Sequence, residues 1–226
     1  MTASYKLSPS DLTFLWDECP RCFYLKVASN LPRPAAPFPK IFTRIDRLMK
    51  DHFGGLATRA IAPELPEGVV RFGEHWVTSA PIHHPGRHAS CYLKGKFDTV
   101  VEFSDGSYGM VDFKTSEVKP EYVDFYSRQL HAYAYALENP APRAFALKPV
   151  SRLGLLCVEP VLMERTDLGQ IAYIGNVAWQ ECRKDENAFL GFIDQVLAVL
   201  EAPRPPEAGK NCSYCEYRAE AREHGL

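Results

Sequence analysis

Residues 95–116, GKFDTVVEFSDGSYGMVDFKTS, alternate between apolar and polar side chains on either side of a short turn. The turn, Ser104-Asp105-Gly106, has the residue types of a hairpin loop, so the sequence predicts antiparallel strands over 91–103 and 107–115. Asp112 and Lys114 share one face of the second strand, because side chains at i and i+2 point to the same side. One face of the hairpin is therefore polar and the other apolar.

The hydrophobic pattern selects how the two strands pair. A two-residue turn would place Phe97 opposite Lys114 and mix apolar with polar positions, which a half-buried sheet resists. A three-residue loop with a left-handed Gly106 in a bulge keeps the apolar positions together and sets Asp98 opposite Asp112. We predict the second register, which gathers two carboxylates and two lysines on one face.

Two carboxylates directly opposite each other repel, at a cost of up to about 1 kcal/mol, unless a cation lies between them. Oxygen ligands of this kind suit Mg²⁺ or Mn²⁺. A lysine beside such an ion can orient the attacking water or help to deprotonate it. The residues leave two interpretations open: a metal-dependent hydrolytic site, or a solvated face that carries a ladder of charges.

Length and composition are those of an ordinary globular protein. The 226 residues, 46% hydrophobic and 24% charged, predict a single domain over 1–226, or at most two small ones. A formal net charge of −2 gives no global basic footprint for nucleic acid, although a local cleft can still be positive. The N-terminus lacks an apolar signal core, and no apolar run could span a membrane, so we expect a cytoplasmic protein without membrane association.

The order of predicted elements indicates a mixed α/β domain, because helices and strands do not alternate as in a parallel fold. Ser8 to Asp11 form a good helix start, and Pro20 marks a kink or break in the helical run that follows. Further helices are predicted over 41–53, 123–139 and 187–202, with strands around 151–160 and 169–176.

The segment from Gly95 to Tyr133 resembles the signature of the PD-(D/E)XK nuclease superfamily, in its RecB-like branch. That family has a G-x-hydrophobic-D segment, a hairpin, a D-x-K segment and a helix with Q-x-x-x-Y, which matches Gln129 and Tyr133 here. The resemblance implies an α/β restriction-endonuclease-like core with a mixed β-sheet flanked by helices. It also implies that Asp98 and Asp112 bind metal and that Lys114 positions the water and stabilises charge in the transition state.

The same resemblance implies that Gln129 and Tyr133 support the site or contact the substrate strand. The family usually adds an acid or a histidine from an upstream helix, and the candidates in 41–53 are Asp46 and His52. We choose Asp46 as the third metal ligand, by its position in the helix. The alternatives are that Asp46 belongs to a solvated face and that His52 is a cation in the last helical turn.

Two C-x-x-C units, Cys19/Cys22 and Cys212/Cys215, predict a site with four thiolate ligands. They resemble the segments with which RecB-like nucleases join their chain ends through an iron–sulfur cluster. The commoner pattern in that family has one N-terminal and three C-terminal cysteines, whereas this chain has two and two. We predict that 8–30 and 203–226 form a cysteine-rich metal-binding subregion holding a [4Fe–4S] cluster, with Zn²⁺ as the alternative.

Together these features predict a Mg²⁺- or Mn²⁺-dependent deoxyribonuclease that acts in DNA repair, recombination or defence. The expected partners are DNA, single-stranded or with single-stranded ends, and a helicase or another repair protein. The alternative is a non-catalytic nucleic-acid-binding or helicase-associated module that retains the fold and the cysteine site. The presence of Asp98, Asp112 and Lys114 together favours the enzyme.

Overall fold

The computed structural model describes residues 3–35, 37–117, 119 and 121–225. The strands in these ranges are β1 Ser4–Leu7, β2 Gly68–Phe72, β3 His75–Thr78, β4 Ile82–His83, β5 Ser90–Phe97, β6 Thr99–Phe103, β7 Tyr108–Lys114, β8 Val150–Arg165 and β9 Ile171–Cys182. The helices are a π-helical turn Asp11–Leu15, α1 Trp16–Glu18, α2 Pro20–Ala28, α3 Lys40–Phe53, a 3₁₀ turn Thr58–Ala60, α4 Glu121–Glu138, α5 Glu186–Glu201 and α6 Ser213–Glu223.

The strands form two mixed sheets. The larger has the order β2-β6-β7-β8-β9, in which only the β7–β8 pair is parallel. A parallel pair needs a crossover connection, and α4 lies in the one between β7 and β8. In the smaller sheet β5 pairs with β1 in parallel and with β3 and β4 antiparallel. The fold is therefore the predicted mixed α/β arrangement of sheets and helices.

The β6–β7 hairpin has the predicted register. Thr99 pairs with Val111, and Glu102 pairs with Tyr108. Gly106 has a φ of 82° and donates its N–H to the Phe103 carbonyl at 3.0 Å, which closes the loop after three residues. A left-handed residue is needed at this position, and glycine adopts that conformation without strain.

The prediction of one continuous strand over 91–103 is wrong, because the strand breaks at Asp98. β5 ends at Phe97 and pairs with the smaller sheet, so Lys96 lies opposite Trp76 of β3 rather than opposite a residue of β7. Phe97 belongs to the larger core and Phe113 to the smaller one, which separates the two rings that the sequence predicted to pair. The requirement to fill two cores thus bends the chain.

Two hydrophobic cores lie on opposite faces of the larger sheet. Side chains alternate along β7, so that Met110 packs into the larger core while Val111 and Phe113 pack into the smaller one. Residues of α4 and α5 fill the larger core, whereas Met49 and Phe53 of α3 cover the smaller. The predicted half-buried hairpin is thus buried on both faces at β7.

Most predicted helices agree with the structure at both ends. Helices α3, α4 and α5 begin and end within two residues of the predicted ranges 41–53, 123–139 and 187–202. The N-terminal helical run is interrupted at Cys19, where the backbone is extended just before Pro20, as the proline predicted. Strands β8 and β9 extend beyond the predicted ranges, and β1 was not predicted. No helix within the described ranges is both long and apolar enough to cross a bilayer.

Two glycine-to-alanine substitutions should have opposite effects on stability. A Cβ at Gly109 of β7 would lie 2.6 Å from Val101 Cγ2 and 2.8 Å from Phe103 Cζ, both in buried side chains. We expect Gly109→Ala to lower the free energy of unfolding by about 1–3 kcal/mol, measured by urea denaturation. Gly191 is exposed in α5, and a Cβ there would have no neighbouring atom within 4 Å, so Gly191→Ala should raise it by about 0.5–1 kcal/mol. Equal effects of the two variants would contradict the packing of β6 on β7.

Candidate functional site

A cluster of charged side chains lies at the junction between β5 and β6, beside the C-terminal end of β7. Asp98 is the residue between the two strands, and Asp112 and Lys114 are among the last three residues of β7. β7 has β6 on one side and β8 on the other, so its polar residues are drawn into the interior, and Asp112 is only 4% exposed. Burial of a carboxylate at a central strand is costly unless the group is paired and hydrogen-bonded.

Asp112 has two neighbours of different kinds. Gln129 of α4 donates from Nε2 to Asp112 Oδ1 at 2.9 Å, and Lys114 Nζ forms an ion pair with Oδ2. Burial raises the pKa of Asp112 to about 6; the ammonium of Lys114 opposes this rise, and the nearby charge of Asp98 adds to it. The charge of Asp98 thus acts on Asp112, although Asp98 lies outside β6 and is not paired opposite Asp112 in the ladder as the sequence predicted.

Lys114 is held between a charge and a ring. Burial works against its charged form, but Asp112 outweighs this effect and raises the pKa of Lys114 above its ordinary value. Its Nζ lies 4.0 Å from the centre of the Tyr126 ring, a cation–π distance. Lys114 thus stays an ammonium that is fixed in position next to both carboxylates.

Asp98 is bonded on both of its oxygens. Its Oδ2 accepts a hydrogen bond from the backbone N–H of Phe113 at 3.1 Å. Because the strand breaks at Asp98, this oxygen takes the place of the carbonyl that a continuous strand would present to Phe113. Its Oδ1 lies 2.8 Å from Lys50 Nζ, which also lies 2.7 Å from Asp46 Oδ2 and 2.7 Å from Glu74 Oε1. A single ammonium from α3 therefore draws together three carboxylates.

Lys50 and Glu74 belong to the cluster but were not predicted as site residues. Lys50 entered the sequence analysis only as a member of the solvated face that is the alternative for Asp46, four residues earlier on the same helix. The side chain of Lys50 is in fact only 15% exposed. Burial opposes its charge, but Asp46, Asp98 and Glu74 raise the pKa of Lys50 above its ordinary value. Glu74 gave no signal in the sequence, because it reaches the cluster only through the fold.

The two candidates for the third ligand occupy different positions. Asp46 is linked to Asp98 through Lys50 Nζ. His52 is exposed and places its ring against Phe53 at a centroid distance of 4.9 Å. The structure thus brings Asp46 next to the predicted site and leaves His52 on the outer surface of α3.

Gln129 and Tyr133 lie on one side of α4, as their spacing predicted, but contact different groups. Gln129 reaches Asp112, whereas the Tyr133 hydroxyl donates to the Lys96 carbonyl at 2.9 Å. A Cβ at Gly95 would lie 2.8 Å from Pro9 Cδ and 3.1 Å from the Tyr133 ring, so the glycine leaves room for both side chains against β5. Tyr133 therefore fixes the strand that leads into Asp98.

The carboxylate cluster has the ligand types that suit Mg²⁺ or Mn²⁺. Among the described residues, neither Asp112 Oδ2 nor Gln129 Oε1 accepts a well-directed hydrogen bond, although the former lies at ion-pair distance from Lys114. Buried polar atoms of this kind are rare in proteins and often mark a site for an ion or water. Asp46, Asp98 and Asp112 do not form a group with ligand atoms all within 4.8 Å of one another.

The four cysteines that the sequence predicted as metal ligands lie close together. Their sulfurs all lie within 4.8 Å of one another, and no other set of three or more potential ligands in the described ranges meets that limit. Cys22 Sγ lies 3.7 Å from Cys212 Sγ and 3.6 Å from Cys215 Sγ, and Cys19 Sγ lies 3.7 Å from Cys215 Sγ. All four are free thiols. The sequence therefore correctly predicted that the two C-x-x-C units meet.

Neighbouring groups favour the thiolate of Cys19, whereas burial raises the pKa of Cys22, and burial together with the adjacent sulfurs raises the pKa of Cys215. Arg33 donates from Nη2 to Cys212 Sγ at 3.1 Å, and the Gly209 N–H donates to Cys19 Sγ at 3.2 Å. Although burial opposes ionisation, the backbone N–H groups of Gly209 and Cys22 lower the pKa of Cys19 to about 6. Arg33 is itself held by Glu18 at 2.6 Å. These donors provide positive charge and hydrogen bonds around the sulfur atoms.

Comparison with known proteins gives one match to a protein family. A family model described as the PD-(D/E)XK nuclease superfamily matches residues 38–219, which include the carboxylate cluster and the second cysteine pair. No curated protein matches the sequence. Among solved structures, the chain is similar to the protein in "Crystal structure of SSO0001", with 14% sequence identity, 95% of this chain and 84% of that chain covered, and a TM-score of 0.46.

Removal of Lys114 should destabilise the protein by leaving the Asp112 carboxylate buried and unpaired. At pH 8 in a metal chelator we expect Lys114→Met to lower the free energy of unfolding by about 3 kcal/mol, measured by urea denaturation. Since the pKa of Asp112 is raised, this loss should shrink at pH 5, where the carboxyl group is protonated. Asp112→Asn together with Lys114→Met should recover part of the loss at pH 8. A double variant as unstable as Lys114→Met would contradict the ion pair.

Proposed function

The chain belongs to the PD-(D/E)XK nuclease superfamily, and on this premise we propose that it is a metal-dependent deoxyribonuclease. The observation that carries the proposal is the meeting of Asp98, Asp112 and Lys114 where β7 ends. A solvated charge ladder, the other interpretation of the sequence, does not account for an aspartate that is only 4% exposed. A buried carboxyl group with a raised pKa and a specific charged partner is a candidate functional group.

We propose that Asp98, Asp112 and Asp46 hold the divalent ion. When bound, such an ion polarises the scissile phosphate and stabilises the leaving oxygen. Asp46 and Asp98 share the ammonium of Lys50, so ion binding there exchanges one cation for another. Glu74 can keep Lys50 paired during this exchange, because it already lies 2.7 Å from Lys50 Nζ.

Lys114 is proposed to orient the attacking water and to stabilise the charge that develops on the phosphate. Its raised pKa supports the second role, because the side chain remains an ammonium at neutral pH. Gln129 is proposed as a support that fixes the Asp112 carboxylate through its hydrogen bond at 2.9 Å. Tyr133 is proposed to act indirectly. Its hydroxyl holds the Lys96 carbonyl and so positions the end of β5, which leads into Asp98.

The alternative is a non-catalytic module that binds nucleic acid. It is favoured by one observation: Lys50 Nζ lies between Asp46 and Asp98, where it neutralises two of the three proposed ligands. If the ammonium were never displaced, the fold would retain a charged cleft without a metal site. Both functions predict nucleic-acid binding, and they differ in whether cleavage depends on a divalent ion.

The resemblance to the RecB-like branch supports further proposals. These are action on DNA with single-stranded character, a role in repair, recombination or defence, and association with a helicase or another repair protein. A cytoplasmic location and a single domain over 1–226 remain predictions from composition. Of the Q-x-x-x-Y element of the branch signature, Gln129 contacts Asp112 of the carboxylate cluster and Tyr133 contacts the Lys96 carbonyl.

We propose that the four cysteines bind metal and so join the two ends of the chain. The resemblance implies a [4Fe–4S] cluster, in which each cysteine binds a different iron at a corner of a cube. Four thiolates around a single Zn²⁺ at about 2.3 Å would instead lie about 3.8 Å apart. Sulfur distances of 3.6 and 3.7 Å favour the zinc alternative.

Loss of Lys114 or Asp112 should abolish cleavage. We expect Lys114→Ala and Asp112→Asn to lower the cleavage rate of labelled single- and double-stranded DNA by about two to three orders of magnitude in Mg²⁺ or Mn²⁺. Circular dichroism identifies any variant that has failed to fold. Lys94 is exposed on β5, so Lys94→Ala is a matched control that should cut at the wild-type rate.

The outcomes separate the two candidate functions. Cleavage by the wild type that needs a divalent ion and is lost in both site variants supports the nuclease. Wild-type protein that binds DNA but does not cut it in either ion supports the non-catalytic module. Cleavage at the wild-type rate by both variants would mean that these residues do not carry the reaction.

The cysteine site should contain metal as purified without oxygen. We expect about one zinc per chain and no sulfide, measured by elemental analysis and absorption spectroscopy. Cys212→Ala should lose this metal, whereas Cys182→Ala should keep it, because both cysteines are 3% exposed but only Cys212 lies in the quartet. Brown protein with iron and sulfide would favour the cluster that the resemblance implies. Metal-free protein with a normal melting temperature would contradict both.

A further inference from the structure

An open groove of about 490 Å³ lies beside the carboxylate cluster. Asp46 and Lys114, which we place in the catalytic site, form part of its wall. The remaining wall is largely apolar and includes Phe38, Phe42 and Phe113. The groove therefore begins at the proposed reaction centre and continues over an aromatic surface.

Two of these aromatic rings are exposed to solvent. Phe38 is 69% exposed and Phe42 is 42% exposed, and their ring centres are 5.9 Å apart with the planes tilted by 50°. Both flank the start of α3, where the Phe42 N–H donates to the Pro39 carbonyl at 3.1 Å. Pro39 restricts the backbone between the two phenylalanines, which limits the directions in which their side chains can project.

Large exposed aromatic side chains beside a charged site are typical of ligand-binding surfaces. A phosphodiester bound at Lys114 carries nucleobases on either side of it, within reach of the adjoining wall. Inside a duplex, the faces of each base are covered by its neighbours in the stack, whereas an unpaired base can stack on a protein ring. The groove therefore fits an unpaired base better than a paired one.

We propose that Phe38 and Phe42 form a stacking platform for an unpaired nucleobase next to the scissile phosphate. The proposal deepens the nuclease function and rests on it: the substrate is a single-stranded segment or a frayed end, and these two residues give the preference. Asp46 and Lys114 connect the platform to the reaction centre, so that base and phosphate are bound by one continuous surface.

The test compares binding and cleavage of one oligonucleotide as a single strand and as a duplex of the same length. Dissociation constants are measured by fluorescence anisotropy in a metal chelator, and cleavage rates in Mg²⁺. We expect Phe38→Ala and Phe42→Ala each to weaken single-strand binding by about 5- to 100-fold, with duplex binding changed by less than about twofold. Replacing the oligonucleotide bases by abasic positions should remove the difference between wild type and variants.

Two other apolar residues of α3 provide matched controls. Ile41 is 57% exposed and Leu48 is 54% exposed, and neither lines the groove. Ile41→Ala and Leu48→Ala should therefore bind both forms of DNA as the wild type does. If the control variants lost as much affinity for single-stranded DNA as the Phe38 and Phe42 variants, the effect would come from apolar surface in general, and the proposal would be overturned.

The outcomes distinguish this proposal from the nuclease function. A protein that cuts DNA normally and whose Phe38 and Phe42 variants bind and cut single strands like the wild type keeps the nuclease and loses the platform. A protein that never cuts but binds single strands through these rings keeps the platform as a binding site and loses the nuclease. Equal losses on duplex and single strand, or no DNA binding by the wild type, would overturn the platform.

Discussion

The hydrogen bond from the Phe113 N–H to the Asp98 carboxylate stabilises the chain where the two sheets meet. Because a buried backbone N–H has to be paired, the strand break at Asp98 is tolerated only if another acceptor takes the place of a strand carbonyl. The Asp98 side chain supplies it. The same bond holds Asp98 beside Asp112, so the bend that divides the cores also assembles the charged site.

The two neighbouring carboxylates are stable side by side because each has its own ammonium. Lys114 pairs with Asp112 along β7, and Lys50 pairs with Asp98 across from α3. Glu74 gives Lys50 a third carboxylate partner, which keeps this lysine paired if an ion replaces it at Asp98. Four carboxylates, counting Asp46, meet three lysines, counting the Lys96 that also pairs with Glu74, so the cluster keeps an excess of negative charge.

The four cysteines bring the two ends of the chain together. Helix α6 has no fully buried residue, so its attachment depends on Cys212 and Cys215 meeting the first cysteine pair and on Tyr214, which packs against the larger core and whose ring centre lies 4.8 Å from the Arg33 guanidinium. Gly209 is needed for this approach, because a Cβ there would lie 2.2 Å from the Glu18 carbonyl. A shared metal would close a loop of nearly the whole chain and would hold both terminal segments against fraying.

The sequence by itself predicted helices α3, α4 and α5, the three-residue loop of the hairpin, the pairing of β6 with β7 and the meeting of the two C-x-x-C units, because each depends on local periodicity, turn chemistry or spacing. Only the tertiary structure decided that the strand breaks at Asp98, since two cores on opposite faces of the sheet compete for Phe97 and Phe113. It also decided that Lys50 and Glu74 join the site, because long charged side chains meet through packing of distant elements, which no pattern along the chain records.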